Sequence, residues 1–403
     1  MTSLDDAAAR RPAGPWVRHD LEIARLATVR ARAAELGIGC MVLGDAPNLR
    51  YLAGIGPLDM FRPTWLILGA GGSTALVVAR SEMSLVEPTT WIEQIREYVE
   101  WPGDEVTDDW VTPIASLVQE SGDDRSVIGV EFDHLTVSDL ARLRAALPDA
   151  TFVAADGILA EMRMRKDAFE LQIMRQGGRI HMAQLEGAKA ILAAGVPEFE
   201  ISLAARAAGA RAAADVLAPA DDYLMSPMLD KPQTLGTGAR GAMVHARAST
   251  CRVSPGDVVQ ICFCGPAFFG YILGFDRPLV AGRPGEGQLR ILSAARAAHD
   301  AALEVVRPGA RANAVHAAAV HVLERAGLLA YRAHRTGRGV GLGGQERPEI
   351  RETDETILEP GMTFTVELGI YVPGVAGARF GDTVAVTSDG FENLTPASYD
   401  WQV

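Results

Sequence analysis

The sequence predicts an α+β protein of two domains, and three observations carry that expectation. At 403 residues the chain exceeds one ordinary domain and suits two. Strand-like and helix-like segments alternate over roughly the first 155 residues, the signature of an α/β domain. From about residue 222 the texture changes to strands and tight turns, interrupted by two helices, which implies an antiparallel sheet in an α+β domain.

Residues 19–36, "HDLEIARLATVRARAAEL", place Leu21, Ile23, Leu26 and Val29 at helical spacing and stop before Gly37. "CMVLGD" (40–45) is a short buried strand. "TWLILGAGGSTALVVAR" is two apolar runs about a Gly-Gly-Ser turn, a hairpin. "SVIGVEF" (126–132) and "TFVAAD" (151–156) are strands separated by the helix "TVSDLARLRAAL". The segment from "ILAEMRMRKDAFEL" to "AILAAG" reads as one long helix joining the domains, and 197–215 as another helix. Strands follow at "GDVVQICFC", "AFFGYILGF" and "RPLVAG", then helices at 285–306 and 310–326. "GMTFTVELGIYVPG" and "DTVAVTSDGFENLT" are strands, the latter turning at Asp389-Gly390. The expected organisation is a loose tail over 1–15, an N-terminal domain over 16–157 and a C-terminal domain over 158–403.

Composition narrows the function. A formal net charge of −13 repels phosphate backbones and anionic lipid, so nucleic acid and membranes are not expected partners. The N-terminal 15 residues contain no apolar signal core. No run reaches the roughly 18 apolar residues of a membrane span. A soluble, cytoplasmic protein is expected. No G-x-G-x-x-G or phosphate-loop pattern follows a strand. Cys262 and Cys264 lie two apart in an apolar run and read as buried, reduced thiols.

The blocks "APNLRYLAG" (46–54), "EMRMRKDAFELQIMRQGGRI", "SPGDVVQI" (254–261), "HRTGRGVGLGGQERP" (334–348), "EPGMTFTVELGIYVPG" (359–374) and "GDTVAVTSDGFENLT" (381–395) together resemble the creatinase/prolidase/aminopeptidase P family, in order and from about residue 16 to the end. The resemblance implies a pita-bread C-terminal domain behind a smaller α/β domain. The family's peptidases hold two divalent ions with two Asp, one His and two Glu. Those positions fall here on Cys262, Gly274, Arg338, Glu367 and Gly381. Four of the five ligands are absent and one replacement is a cation, so a pair of hard ions lacks its oxygen donors. Cys262 and Glu367 beside Arg338 make a poor cage for a softer ion. Gln345 stands where the family's loop carries another histidine. No metal and no cofactor is therefore expected.

Around the lost ligands the chain is similar to the metal-free creatinase branch. By that resemblance His245 in "HARASTCRVSPGD" is the general acid/base, while Glu367 and Asp276 clasp a cationic group. An unperturbed histidine titrates near 6.5, suited to taking and returning a proton. Arg338, Arg62, Arg347 and Cys262 are the candidate substrate-binding residues, with Arg62 of "MFRP" reaching a partner's site in a homodimer. The departures are that creatinase carries histidines at the positions of Arg338 and Gly381. The expected function is a creatinase-like hydrolase of a C–N bond in a small zwitterionic amidino, guanidino or amide compound. A lyase or cyclase on the same scaffold and a non-catalytic binding protein stand as alternatives.

Overall fold

The computed structural model describes residue 16 and residues 18–56, 62–99, 109–121, 126–220, 225–228, 234–263 and 267–402. The segment 1–15 and Cys264 lie outside them. Two compact units result. One comprises Met1–Met162 and Ala220–Met225, the other Arg163–Pro219 and Ser226–Val403.

In the first unit the elements run α1 (His19–Glu35), β1 (Cys40–Leu43), α2 (Ala46–Ala53), β2 (Trp65–Gly69), β3 (Thr74–Ala79), α3 (Met83–Val86), β4 (Ile95–Tyr98), α4 (Val111–Glu120), β5 (Val127–Val130), α5 (Val137–Ala146) and β6 (Thr151–Ala154). The six strands form one mixed sheet in the order β4-β3-β2-β1-β5-β6. The β2–β3 hairpin is antiparallel with Leu68 opposite Thr74, and β5 and β6 run parallel to β1. Central β1 is buried along its length, as its continuous apolar run requires. The "APNLRYLAG" block is the helix α2. Glu131, 2% exposed, accepts from the Gly44 and Asp45 backbone N–H groups at its start.

The second unit begins within α6 (Asp156–Met164) and continues with α7 (Ala168–Lys189) and α8 (Glu198–Leu217). The expected single joining helix is two helices. Asp167 caps α7, accepting from Glu170 N–H while the Glu170 carboxylate accepts from Asp167 N–H, and this capping box breaks the run. The "DAFE" tetrad is the sequence signature of that box.

Then follow β7 (Thr234–Thr237), β8 (Val258–Cys262), β9 (Ala267–Phe268), β10 (Tyr271–Ile272), β11 (Asp276–Val280), α9 (Glu286–Val305), α10 (Ala312–Arg325), β12 (Gly337–Gly339), β13 (Glu346–Ile350), β14 (Thr363–Val366), β15 (Gly369–Val372), β16 (Ala376–Arg379), β17 (Asp382–Val386) and β18 (Phe391–Asn393). Sheets of order β11-β8-β7 and β13-β12-β14-β17-β18 each carry a helical layer. Leu185, Ala188, Ile201 and Ala205 of α7 and α8 share a core with Val259, Ile261 and Leu279. Ile291, Leu292, Val315 and Leu323 of α9 and α10 share another with Phe364, Val366 and Val384. Burying each such side chain is worth about 1.5–3 kcal/mol.

"GMTFTVELGIYV" is also not one strand. β14 pairs with β17, whereas β15 pairs with β16 in a separate ribbon. Glu367 and Leu368 fall at the change of sheet, and Glu367 N–H donates to the Thr336 carbonyl at 2.7 Å. A polar residue inside an apolar run thus marks a crossing of sheets.

His181 of α7 packs beside the stacked rings of Phe263 and Phe275, 1% exposed, with Gln184 Oε1 2.9 Å from Nδ1. Burial lowers its pKa to about 4. The unfolded chain therefore takes up this proton first as pH falls, and folding stability is lost from about pH 6.5 down to about pH 4. Urea melts at pH 7 and pH 5 should show the wild type weaker at pH 5, and His181→Leu should reduce that difference. An unchanged pH slope in the variant would assign the loss elsewhere.

Candidate functional site

The strand ends of the second unit converge on a cluster of charged groups. β8 ends at Cys262, which lies opposite Asp276 at the start of β11. Gly381, just before β17, pairs with Asp276 by reciprocal backbone hydrogen bonds of 3.0 and 3.1 Å. Arg379 ends β16, and its backbone is held by the Gln260 side chain of β8, Arg379 N–H donating to Gln260 Oε1 at 2.7 Å. Arg338 lies on β12, and its N–H donates to Thr365 Oγ1 of β14 at 3.1 Å.

One ion pair and one arginine–carboxyl contact dominate the cluster. Arg338 Nη1 donates to Glu367 Oε1, while Arg338 Nε donates to the Gly344 carbonyl at 2.7 Å. Arg379 Nη2 stands 2.7 Å from Asp276 Oδ1. Asp276 is wholly buried, and Glu367 and Arg379 are each 5% exposed. Burial acts to raise the Glu367 pKa, but the Arg338 and Arg379 guanidiniums more than offset it and hold the carboxylate ionised. Burial raises the Asp276 pKa, and Glu367 adds to that as a like charge, against the pull of Arg379. Two carboxyl groups that feel each other are thus pushed apart in acidity.

A neutral pair stands beside them. His334 Nδ1 lies 2.7 Å from the Arg335 carbonyl and so carries the proton, leaving Nε2 to accept from the Tyr371 hydroxyl at 2.8 Å. Burial, with Arg379 next, lowers the His334 pKa to about 4, so the imidazole is neutral at pH 7. Burial keeps the Tyr371 phenol protonated well above its ordinary range. A Cβ at Gly369 would fall 2.6 Å from Tyr371 Cζ, so the glycine makes room for the phenol.

The glycine loop is anchored from below. Glu346 Oε1 takes Arg163 Nη2 at 2.6 Å and Gly343 N–H at 2.8 Å, and Oε2 takes Lys166 Nζ at 2.6 Å. A Cβ at Gly341 would lie 2.6 Å from Lys166 Cε, which explains a glycine there. This cluster fixes the loop whose Gly344 carbonyl holds Arg338.

Of the expected site residues, the fold brings Cys262, Asp276, Arg338 and Glu367 together. His245 is exposed on the turn after residues 238–242, near enough for its charge to act on His334. Arg347 is exposed, acts on Asp354, and forms no ion pair with Glu367 or Asp276 among the described residues. Arg62 belongs to the first unit, where its Nη1 lies 3.6 Å from Glu82 Oε1. Sequence reasoning passed over Arg379, His334, Tyr371 and Glu346. His334 and Glu346 stood inside the quoted glycine block, whereas Arg379 and Tyr371 carried no local signal.

The fold and this cluster define an α+β enzyme of the pita-bread class, its charged groups gathered at the strand ends. Residues 172–388 match the metallopeptidase family M24 and residues 25–165 the creatinase/prolidase N-terminal domain. The chain belongs to this family of hydrolases, the creatinase/prolidase/aminopeptidase P group. It is 33% identical over 378 residues to the agropine synthesis cyclase of Rhizobium rhizogenes, covering 92% of this chain and 95% of that one. It is 32% identical over 381 residues to the probable dipeptidase PepE of Mycobacterium tuberculosis, covering 93% and 94%. Among solved structures, dipeptidase PepE of Mycobacterium ulcerans is similar at a TM-score of 0.79 and 28% identity, covering 96% and 100%. The prolidase of Pyrococcus horikoshii shares the fold at a TM-score of 0.80, with 23% identity and 94% and 99% coverage. The expected creatinase-like C–N hydrolase is overturned by these relatives, which are named as a cyclase, dipeptidases and prolidases. Local likeness around His245 and Asp276 had suggested that branch, and likeness over the whole chain points elsewhere.

The metal pair that the family name implies does not fit these residues. Arg338 lies on Glu367, the one ligand type retained, and a guanidinium there repels a cation. A Cβ at Gly274 would meet Thr365 Cγ2 at 2.5 Å, and a Cβ at Gly381 would run into Asp276. Among the described residues no three His, Cys, Asp or Glu side chains are grouped to hold an ion. Equilibrium dialysis against Mn²⁺ or Co²⁺ should find no stoichiometric binding, and 1 mM of either should leave Tm unmoved (roughly 100-fold excess over Kd would add about 2.7 kcal/mol). Two bound equivalents per chain would refute this reading.

Proposed function

We propose that this chain is a small-molecule enzyme that closes a ring by intramolecular acyl transfer, a substrate hydroxyl or amine attacking a carbonyl of the same molecule. The observation that carries the reading is the half-buried Arg338–Glu367 pair, set where the family's peptidases would place cations. Likeness to a protein named as a cyclase, over nearly the full length of both chains, supports it.

Each group has work suited to its environment. Arg338, its Nε and Nη1 fixed by the Gly344 carbonyl and Glu367, brings a guanidinium charge to the carbonyl oxygen and stabilises the charge that develops there. Glu367, held ionised, accepts the proton of the attacking group. Tethering nucleophile and electrophile in one bound molecule supplies the positioning, worth up to about 7–11 kcal/mol in favourable cases. Neutral His334 and Tyr371 form a fixed polar wall that orients the substrate without adding charge. Burial of the carboxyl groups limits competition from water.

Agropine is the probe to use first, offered in the ring-opening direction and followed by mass spectrometry. Opening by the wild type is expected, with Arg338→Ala reducing kcat/KM by about 10²–10³-fold, the usual cost of losing one such donor. Arg338→Lys should recover little, since an ammonium lacks the fork. Efficient cleavage of unactivated dipeptides, with agropine untouched, would establish a dipeptidase instead.

A further inference from the structure

We propose that positions 276 and 381 form one exclusive seat for a single carboxyl group, and that the group delivered from Asp276 is the catalytic acid of the pocket. The second half of this inference rests on the ring-closure reading above, and the first does not.

The exclusivity is geometric. Asp276 and Gly381 face each other on neighbouring strands and exchange both backbone hydrogen bonds. In such a pair the side chains leave on the same side, with Cβ atoms roughly 5 Å apart. Here the two strands come closer than that, and the Asp276 side chain takes up the space beside Gly381. A Cβ at 381 would run into Asp276 Oδ2 and lie 2.9 Å from its Cβ and Cγ. Gly381 is therefore the residue that admits a buried carboxyl from the opposite strand. The neighbouring vacancy is filled in the same way, since the space beside Gly274 holds the Thr365 methyl.

Comparison with Asp382, the very next residue, shows what Asp276 is suited to do. Both are wholly buried. Asp382 is well supplied: Arg277 Nη2 at 2.8 Å and Thr395 Oγ1 at 3.1 Å donate to Oδ1, the Tyr399 hydroxyl donates to Oδ2 at 2.6 Å, and His299 Nε2 lies 3.3 Å from Oδ2. Such a carboxylate is structural, and it stays ionised. Asp276 has Arg379 beside Oδ1 and the Cys262 thiol nearby, yet neither oxygen accepts a backbone N–H or hydroxyl hydrogen bond. A wholly buried carboxyl whose oxygens are left short of donors lacks the contacts that hold Asp382 ionised, and that geometry suits it to carry a proton.

The step balances. The substrate hydroxyl oxygen bonds to the carbonyl carbon, and its proton goes to Glu367. The tetrahedral oxyanion rests on Arg338. Collapse breaks the bond from carbon to the acid's own hydroxyl oxygen, which takes the Asp276 proton and leaves as water. Solvent returns a proton to Asp276 and removes one from Glu367, so the net change is one ring formed and one water released.

The exchange is tested by thermal melts of four proteins: wild type, Gly381→Glu, Asp276→Gly and the double variant Asp276→Gly/Gly381→Glu. Gly381→Glu alone should lose about 5 °C or more, and the double variant should recover at least half of that loss despite carrying a second substitution. Additive losses would overturn the shared seat. For the acid role, Asp276→Asn should lower kcat for agropine opening by about 100-fold with KM within about threefold, and the double variant should regain part of the rate. An Asp276→Asn enzyme that keeps its kcat, or a double variant that regains stability but no rate, overturns the acid role. A wild type inert toward agropine removes the ring-closure reading and the acid role with it, while the melts still judge the seat.

Discussion

The Arg338–Glu367 ion pair is the constraint around which the pocket is built. A carboxylate on the edge of an apolar strand cannot stay buried and charged alone, because desolvation would cost several kcal/mol. Arg338 neutralises it, but brings a guanidinium that needs its own fixed partners. The Gly344 carbonyl and the Glu367 carboxylate supply them. The carbonyl is fixed only because Glu346, Arg163 and Lys166 lock the glycine loop. Removing one member of a buried pair of this kind typically costs about 3–5 kcal/mol. Charge placement and loop geometry are thus one requirement.

Where the family's peptidases place ligand side chains, this cluster is filled by other side chains. Side chains missing at positions 274 and 381 are replaced by matter from neighbouring strands, Thr365 in one case and Asp276 in the other. Two guanidiniums supply positive charge in place of ions. A guanidinium differs from a metal ion in a way that matters chemically. It donates directed hydrogen bonds and stabilises an oxyanion, but it does not turn a bound water into hydroxide at neutral pH. That difference separates hydrolysis by water from attack by a tethered nucleophile, and it weighs the cyclase relative above the dipeptidase relatives in reading this chain.

Much of the architecture was legible in the residues. The Gly-Gly-Ser hairpin, the helix ending before Gly37 and the Asp389-Gly390 turn appear where turn chemistry places them. Misreadings came where local pattern was ambiguous. The joining helix looked continuous because its apolar period survives the break, and only the Asp167–Glu170 capping box records it. "TFTVELGIYV" looked like one strand because alternation cannot show that its two halves pair with different partners. The creatinase-like reading failed because a few matched positions around His245 were given more weight than the whole chain.

The sequence by itself determined that this is a pita-bread protein and which residue types stand at the positions the family resemblance marks for metal ligands, since residue identity is a property of single positions. It also placed a cation at 338 and a carboxylate at 367. Tertiary structure alone decided that these two touch, that Arg379 serves Asp276, and that Gly381 makes room for Asp276. Those facts depend on which strand ends meet and how closely, and strand register across more than 100 residues of chain leaves no mark in the local pattern of any one segment.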